Sequence, residues 1–196
     1  LAWVLAALVG GWGGDRLLEA YEAERKATAW WHLRAAQGHM DVRIQMSGLY
    51  AEAGDLDGEG PEADAKRAEV GRKIAALGNA ENESWGVEHG YRYDDSPIVA
   101  HEPNPPEIDR LTYRPSTWPG ARMPHIFLAD GTPIHDRLGL WFTLVAFGDA
   151  DVSAMVAAAA EADIPLDVLR LNRPDLRTIY ERDLLLVRPD QHVAWR

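Results

Sequence analysis

The sequence predicts an α/β chain, α+β overall, in which a helical N-terminal segment precedes a small sandwich of strands and helices. Three observations carry this prediction. Apolar residues recur at helical spacing as far as Leu77, and seven of the twelve prolines fall between residues 97 and 124. Beyond them, short apolar runs bounded by turn residues alternate with one alanine-rich stretch. The expected divisions are residues 1–84, a helical segment; 85–122, a strand and a proline-rich connection; and 123–196, the sandwich domain.

Leu1 to Val9 is apolar throughout and reads as a buried helix, broken by the four glycines between positions 10 and 14. The run is about half of what a bilayer span needs, no basic stretch precedes it, and neither a membrane helix nor a secretory signal is expected. A helix apolar on every side needs cover, so the chain is expected to be a piece of a longer protein. Asp15 is placed to cap a second helix running through Trp30-Trp31 to about Met46. On it Glu22, Glu24, Arg25 and Lys26 read as a solvated face.

Between Glu52 and Asp64 lie six carboxylates, three glycines and no cation, which predicts an open loop. Two motif readings fail there. Asp55, Asp57, Glu59 and Gly60 imitate the start of an EF-hand, but Lys66 stands at the twelfth place, where calcium needs a bidentate carboxylate. Gly58, Gly60 and Ala63 imitate a dinucleotide fingerprint, but no apolar strand precedes them and the carboxylates repel a pyrophosphate. Asp64 to Leu77 resumes helical spacing.

Trp85 to Tyr93 alternates loosely and is expected to be a short strand. The prolines that follow forbid helices and predict a stiff connection laid over a surface. Ile126 to Ala129 and Thr132 to Ile134 read as a hairpin turning at Asp130-Gly131. Leu140 to Phe147 reads as a central strand, Val152 to Ala162 as a helix capped by Asp149 or Asp151, Leu166 to Leu171 as a strand and Asp175 to Tyr180 as one or two helical turns. Leu184 to Val187 and His192 to Trp195 complete a thioredoxin-like α/β sandwich.

Composition excludes several functions. The chain carries 31 acidic and 20 basic residues, a formal charge of -11, and no Lys/Arg block, so nucleic acid is not an expected partner. It has no cysteine, which removes disulfides, thiolate metal sites and dithiol exchange despite the thioredoxin-like order. His125, His135 and His192 lack short metal-ligand spacing, and no G-x-S-x-G elbow offers a nucleophile. No catalytic, cofactor-binding or metal residue is assigned. The one candidate substrate segment is Trp85 to Tyr93, with rings, a cation and an imidazole; Tyr91 or Tyr93 is expected to face a substrate cavity while the alternate residue packs inward.

Leu1-Ala-Trp-Val-Leu-Ala6, the glycine break and Leu17-Leu-Glu-Ala-Tyr-Glu-Ala-Glu-Arg25 together resemble the stretch after the second FAD-binding motif of class A flavoprotein aromatic hydroxylases, of the phenol hydroxylase and polyketide hydroxylase kind. The tail resembles that family too, in Pro119-Gly-Ala-Arg-Met-Pro-His125, Leu128-Ala-Asp-Gly131, Phe142-Thr-Leu144 and Leu186-Val-Arg-Pro-Asp-Gln-His-Val-Ala-Trp-Arg196. Val4 departs from it, standing where the family usually has Lys. The resemblance implies a full-length cytoplasmic monooxygenase that binds FAD, takes a hydride from NAD(P)H and hydroxylates an aromatic or polyketide ring with O2. It also implies that this chain is the C-terminal portion, its partners being a missing N-terminal FAD-binding portion, an aromatic small molecule and a second copy in a possible homodimer. In the family the G-x-G-x-x-G strand-loop-helix, the central D-G motif and the G-D motif lie upstream of the stretches that this chain resembles, so the isolated chain is expected to hold no cofactor and to be non-catalytic. The alternative is a thioredoxin-like assembly module without enzymatic activity.

Overall fold

The computed structural model describes residues 1–196. Helix α1 (Ala2–Val9) turns through Gly10–Gly14 into α2 (Arg16–Ala53), seven residues longer than the periodicity predicts, and α3 (Pro61–Ala76) returns beside it. Asp15 sits at the N-cap of α2 but its side chain makes no capping hydrogen bond. Burial along α2 is uneven: Leu17, Ala20, Glu24, Thr28 and Ala35 are buried, and nothing after Ala35 is. Spacings of three, four and seven put these residues on one face. In α3 only Val70 is buried. The acidic loop is confined to residues 54–60, where Lys66 donates to Asp55 O, and Arg67 to the carbonyls of Leu56 and Gly58.

The C-terminal part is a four-stranded mixed sheet of β1 (Phe142–Phe147), β2 (Leu166–Leu171), β3 (Leu184–Val187) and β4 (Val193–Trp195), in the order β2-β1-β3-β4. The β1–β2 pair is parallel, Phe142 opposite Leu166, while β1–β3 and β3–β4 are antiparallel. The apolar run 142–147 becomes a central strand because both of its faces find cover. One face packs on Met123, Ile134, Leu176 and Tyr180. On the other side Trp3 and Trp12 meet the Phe142 ring edge-on, at 6.1 and 6.3 Å, which ties α1 to the sheet. The parallel crossover carries a helix (Ser153–Glu161), with Asp151 accepting from the Ser153 N–H at 2.9 Å. Tyr180 ends a short helix (Arg177–Tyr180), stacks on Phe147 at 5.1 Å and donates its hydroxyl to Pro124 O at 2.8 Å. The α+β class is as the sequence predicts, and four of the expected strands form where it places them, at 142–147, 166–171, 184–187 and 193–195.

Two local expectations are corrected. Trp85 to Tyr93 is not a strand: Trp85–His89 is a helical turn, and only Arg92 reaches the sheet system, through one antiparallel bridge to Ala121. Tertiary contact sets this, since the Val87 N–H donates to Arg110 O at 3.2 Å and Gly86 lies directly against the Asp109 carbonyl. The hairpin at 126–134 shrinks to a single bridge, Phe127 to Pro133, bracketed by the Leu128–Thr132 and Ile134–Ile126 hydrogen bonds, because Ile134 then opens a 3-10 turn (Ile134–Arg137).

The proline-rich connection is ordered by the edge of β4. Gly120 donates to Val193 O at 2.7 Å, Ala121 O accepts from Val193 at 2.9 Å, and Ala100 donates to Ala194 O at 2.8 Å. Arg196 closes the chain end onto it: Nε and Nη2 pair with Glu102 at 2.7 and 2.8 Å, and the guanidinium lies 4.7 Å from the Trp118 ring centre. No helix is long and apolar enough to cross a membrane.

Candidate functional site

The first cluster of functional groups lies at the seam between α2 and the β3–β4 turn. Glu24 is 5% exposed and Arg188 2% exposed, so the reading of Glu24 as part of a solvated face is overturned. Arg188 Nη1 and Nη2 donate to the two oxygens of Glu24 at 2.5 and 2.8 Å, and Nη2 also donates to Asp190 at 2.7 Å. Ser96, itself buried, donates its hydroxyl to Glu24 Oε1 at 2.5 Å. The guanidinium carbon lies 5.3 Å from the Trp3 ring centre and 5.1 Å from that of Tyr93. One cation is thus held by two carboxylates and two ring faces drawn from α1, α2, the connection and the sheet domain. Burial opposes ionisation of Asp190, but the hydrogen bond from His192 and the Arg188 charge prevail and hold its carboxyl below the usual range.

Both tyrosines singled out from the sequence join this seam. Tyr93 is 4% exposed and stacks on His192 at 4.3 Å; Tyr91, half-buried, tilts against His192 at 5.5 Å and meets His32 edge-on at 5.9 Å. Arg25 donates to the Tyr93 hydroxyl at 3.4 Å, and burial pushes that hydroxyl's pKa above the ordinary phenol range. The two tyrosines lie 5.8 Å apart, on the same side of the chain, as residues two apart in extended backbone do. The one hydroxyl beside a carboxylate here, Ser96 against Glu24, is buried with it, and that carboxylate is already spent on Arg188. The chemistry of the seam is that of a brace.

Open space lies on the other side of the same segment. His89, Gly90 and Arg92 line a polar groove of about 270 Å³ together with Tyr113, Arg114 and Arg122. A second hollow, of about 580 Å³, adjoins it and shares His89, Tyr113 and Arg122, with Trp85, His125 and His135 on its walls. The segment therefore does line a pocket, through His89 and Arg92 rather than through the tyrosines. His125 and His135, too far apart in sequence for a short metal-binding motif, have ring centres 5.3 Å apart. They are not joined by a third ligand, and no group of three His, Asp or Glu side chains is arranged to hold a metal.

FAD is the cofactor that the family resemblance implies. A pyrophosphate needs backbone N–H groups at a glycine-rich helix start. Two G-x-G loops precede helices: Gly11-Trp12-Gly13 follows helix α1 rather than a strand and spends the Gly13 N–H on Ala7 O at 2.9 Å, while Gly58 to Gly60 is flanked by Asp55, Asp57, Glu59 and Glu62, and α3 opens on Pro61, which has no N–H to offer. These residues do not fit the group.

Comparison with known proteins places this geometry. The family model for the aromatic-ring hydroxylase C-terminal domain matches residues 116–196. Over its whole length the chain is 34% identical to the FAD-dependent monooxygenase opdD of Penicillium oxalicum and 28% identical to a phenol 2-monooxygenase of a Pseudomonas species, spanning 38% and 37% of their lengths. Among solved structures, RebC soaked with chromopyrrolic acid and holding 7-carboxy-K252c superposes with a TM-score of 0.85 at 36% identity, over 99% of this chain and 36% of that one. The flavin-dependent monooxygenase PieE, in complex with FAD and substrate, gives 0.81 at 28% identity, over 100% of this chain and 39% of that one. The chain thus spans little more than a third of the length of these relatives.

Proposed function

We propose, from the match of residues 116–196 to the aromatic-ring hydroxylase C-terminal family model, that the chain is the C-terminal part of an FAD-dependent monooxygenase that hydroxylates an aromatic or polyketide ring with NAD(P)H and O2. The observation that carries the reading is that the match to such enzymes runs through the helices as well as the sheet domain, over the whole of this chain. Residues 1–84 complete the flavin and substrate domains, 85–122 connect, and 123–196 form the thioredoxin-like domain. FAD and NAD(P)H are held by residues outside this chain and supply the redox chemistry. The chain's own contribution is mechanical: the Glu24–Arg188 pair locks α2 to the sheet domain, and Trp3 and Trp12 lock α1 to β1. Of the two tyrosines, Tyr91 is the one left partly open to a substrate held by the rest of the protein.

Two measurements test this. In the whole protein, flavin is expected to copurify and NAD(P)H oxidation to be stimulated by a phenolic or polyketide substrate; a flavin-free protein would overturn the reading. Titrating the 196-residue chain with FAD is expected to leave flavin fluorescence unchanged, and saturable micromolar quenching would show that the chain itself holds the cofactor.

A further inference from the structure

The hollow of about 580 Å³ beside the 85–93 segment has a chemistry that the monooxygenase reading does not use. Its volume lies in the range of small-molecule sites. Its walls are rings: Trp85 and His89 stack at 5.7 Å with 28° between planes, His89 meets Tyr113 at 5.7 Å, and His125 tilts against His135 at 5.3 Å. Trp85 is 58% exposed, a large ring face left in water. Exposed faces of this kind gain by covering a flat apolar surface.

The hollow also holds one cation without a counter-charge. Arg122 is half-buried, and its Nε and Nη2 both donate to Gln191 Oε1, at 3.2 and 2.6 Å. A neutral amide oxygen fixes the guanidinium plane but leaves its charge uncompensated, and none of the chain's ion pairs includes Arg122. Around it, burial lowers the pKa of His135 despite its hydrogen bond to Met123 O, with the Arg122 charge adding to the effect. His135 is therefore neutral near pH 7, with Nε2–H spent on the carbonyl and Nδ1 left as an acceptor. Burial raises the pKa of the Tyr113 hydroxyl, which remains a donor. Asp136 is the one carboxylate of the lining and is exposed, so water screens its repulsion of an anion.

We infer that this hollow, with Arg122 as its anion-binding group and Trp85, His89 and Tyr113 as its stacking walls, binds an aromatic carboxylate. A single guanidinium without a carboxylate partner, with Nη1 outside its hydrogen bonds to Gln191, suits one carboxylate and not a polyphosphate, and the ring walls select a flat aromatic body. This inference is independent of whether the whole protein is a monooxygenase, since every group it needs lies in this chain.

The test is calorimetric titration of the 196-residue chain with 2-naphthoate and, separately, with neutral 2-naphthalenemethanol, circular dichroism confirming that each variant is folded. One saturable site for the acid is expected, with the alcohol at least about tenfold weaker. Arg122→Met is expected to weaken the acid by about tenfold or more and leave the alcohol unchanged, and Arg122→Lys to recover part of the loss. Trp85→Ala, which removes a wall and no charge, is expected to weaken both. Absence of saturable binding, equal binding of acid and alcohol, or indifference of the acid to Arg122→Met and Trp85→Ala would each overturn the proposal. Should Arg122→Met fail to fold, the acid-to-alcohol ratio and Trp85→Ala decide alone.

Discussion

Glu24→Ala is expected to lower folding stability by about 3 kcal/mol, read from the urea midpoint at unchanged slope. The substitution leaves Arg188 buried with one of its two carboxylates, and leaves the Ser96 hydroxyl without its acceptor. Asp190 stays as a partner, which keeps the loss at the lower end of the range for broken buried pairs. The double variant Glu24→Ala, Arg188→Met is expected to recover much of the loss, because a buried cation no longer needs a partner. A single-variant loss under about 1 kcal/mol would mean that the seam is not held by this pair. The same network sets the acid limit. The Asp190 carboxyl is held below its ordinary pKa, so its stabilising effect is complete above about pH 4 and fades as acid protonates it in the fold. The stability gap between the wild type and Asp190→Asn should therefore be widest near neutrality and narrow in acid.

Gly86→Ala should be the most damaging single-methyl change, costing about 2–3 kcal/mol in the same assay. Alanine favours a helix over glycine by about 1 kcal/mol, so propensity alone predicts the opposite sign. Space decides: a Cβ at Gly86 would stand 1.7 Å from the Asp109 carbonyl oxygen and 2.9 Å from that of Thr112, both backbone atoms that can yield only if the 109–112 loop moves. Gly71→Ala in α3 is the control. Its Cβ would meet nothing within 4 Å, and it should stabilise by about 0.5–1 kcal/mol. If both variants behave alike, the close approach at Gly86 does not shape the segment.

These two positions also show what the sequence makes legible. The run 142–147, the alanine helix, and strands β2 and β3 declare themselves locally, because burial on both faces or a steady period leaves its mark within a few residues. Glu24 leaves no such mark. Its spacing is that of any exposed helix acid, and the partner that buries it lies 164 residues away, in Arg188. Trp85 to Tyr93 misleads for a related reason: the alternation is present, but the Asp109 carbonyl and the Val87–Arg110 hydrogen bond impose a helical turn. The pocket beside it was legible as a set of residue types and not as a geometry. Tyr91 and Tyr93 were the conspicuous rings, whereas Arg122 stands out only once Gln191 is seen beside it.

Helix α2 is roughly 57 Å long at 1.5 Å per residue, yet all its buried side chains lie at or before Ala35. The far half, with α3, keeps Val70 alone from solvent and leaves Met40, Ile44 and Tyr50 at least half exposed. In an isolated chain such a hairpin has little to hold it beyond its own backbone ladder, so α2 belongs to two cooperative units rather than one. Amide protons from Gln37 to Ala76 should exchange with deuterium through openings far cheaper than global unfolding, while those of residues 17–35 wait for the sheet domain to come apart. The boundary would fall inside an unbroken helix, at the turn where the Arg110 guanidinium donates to Ala35 O.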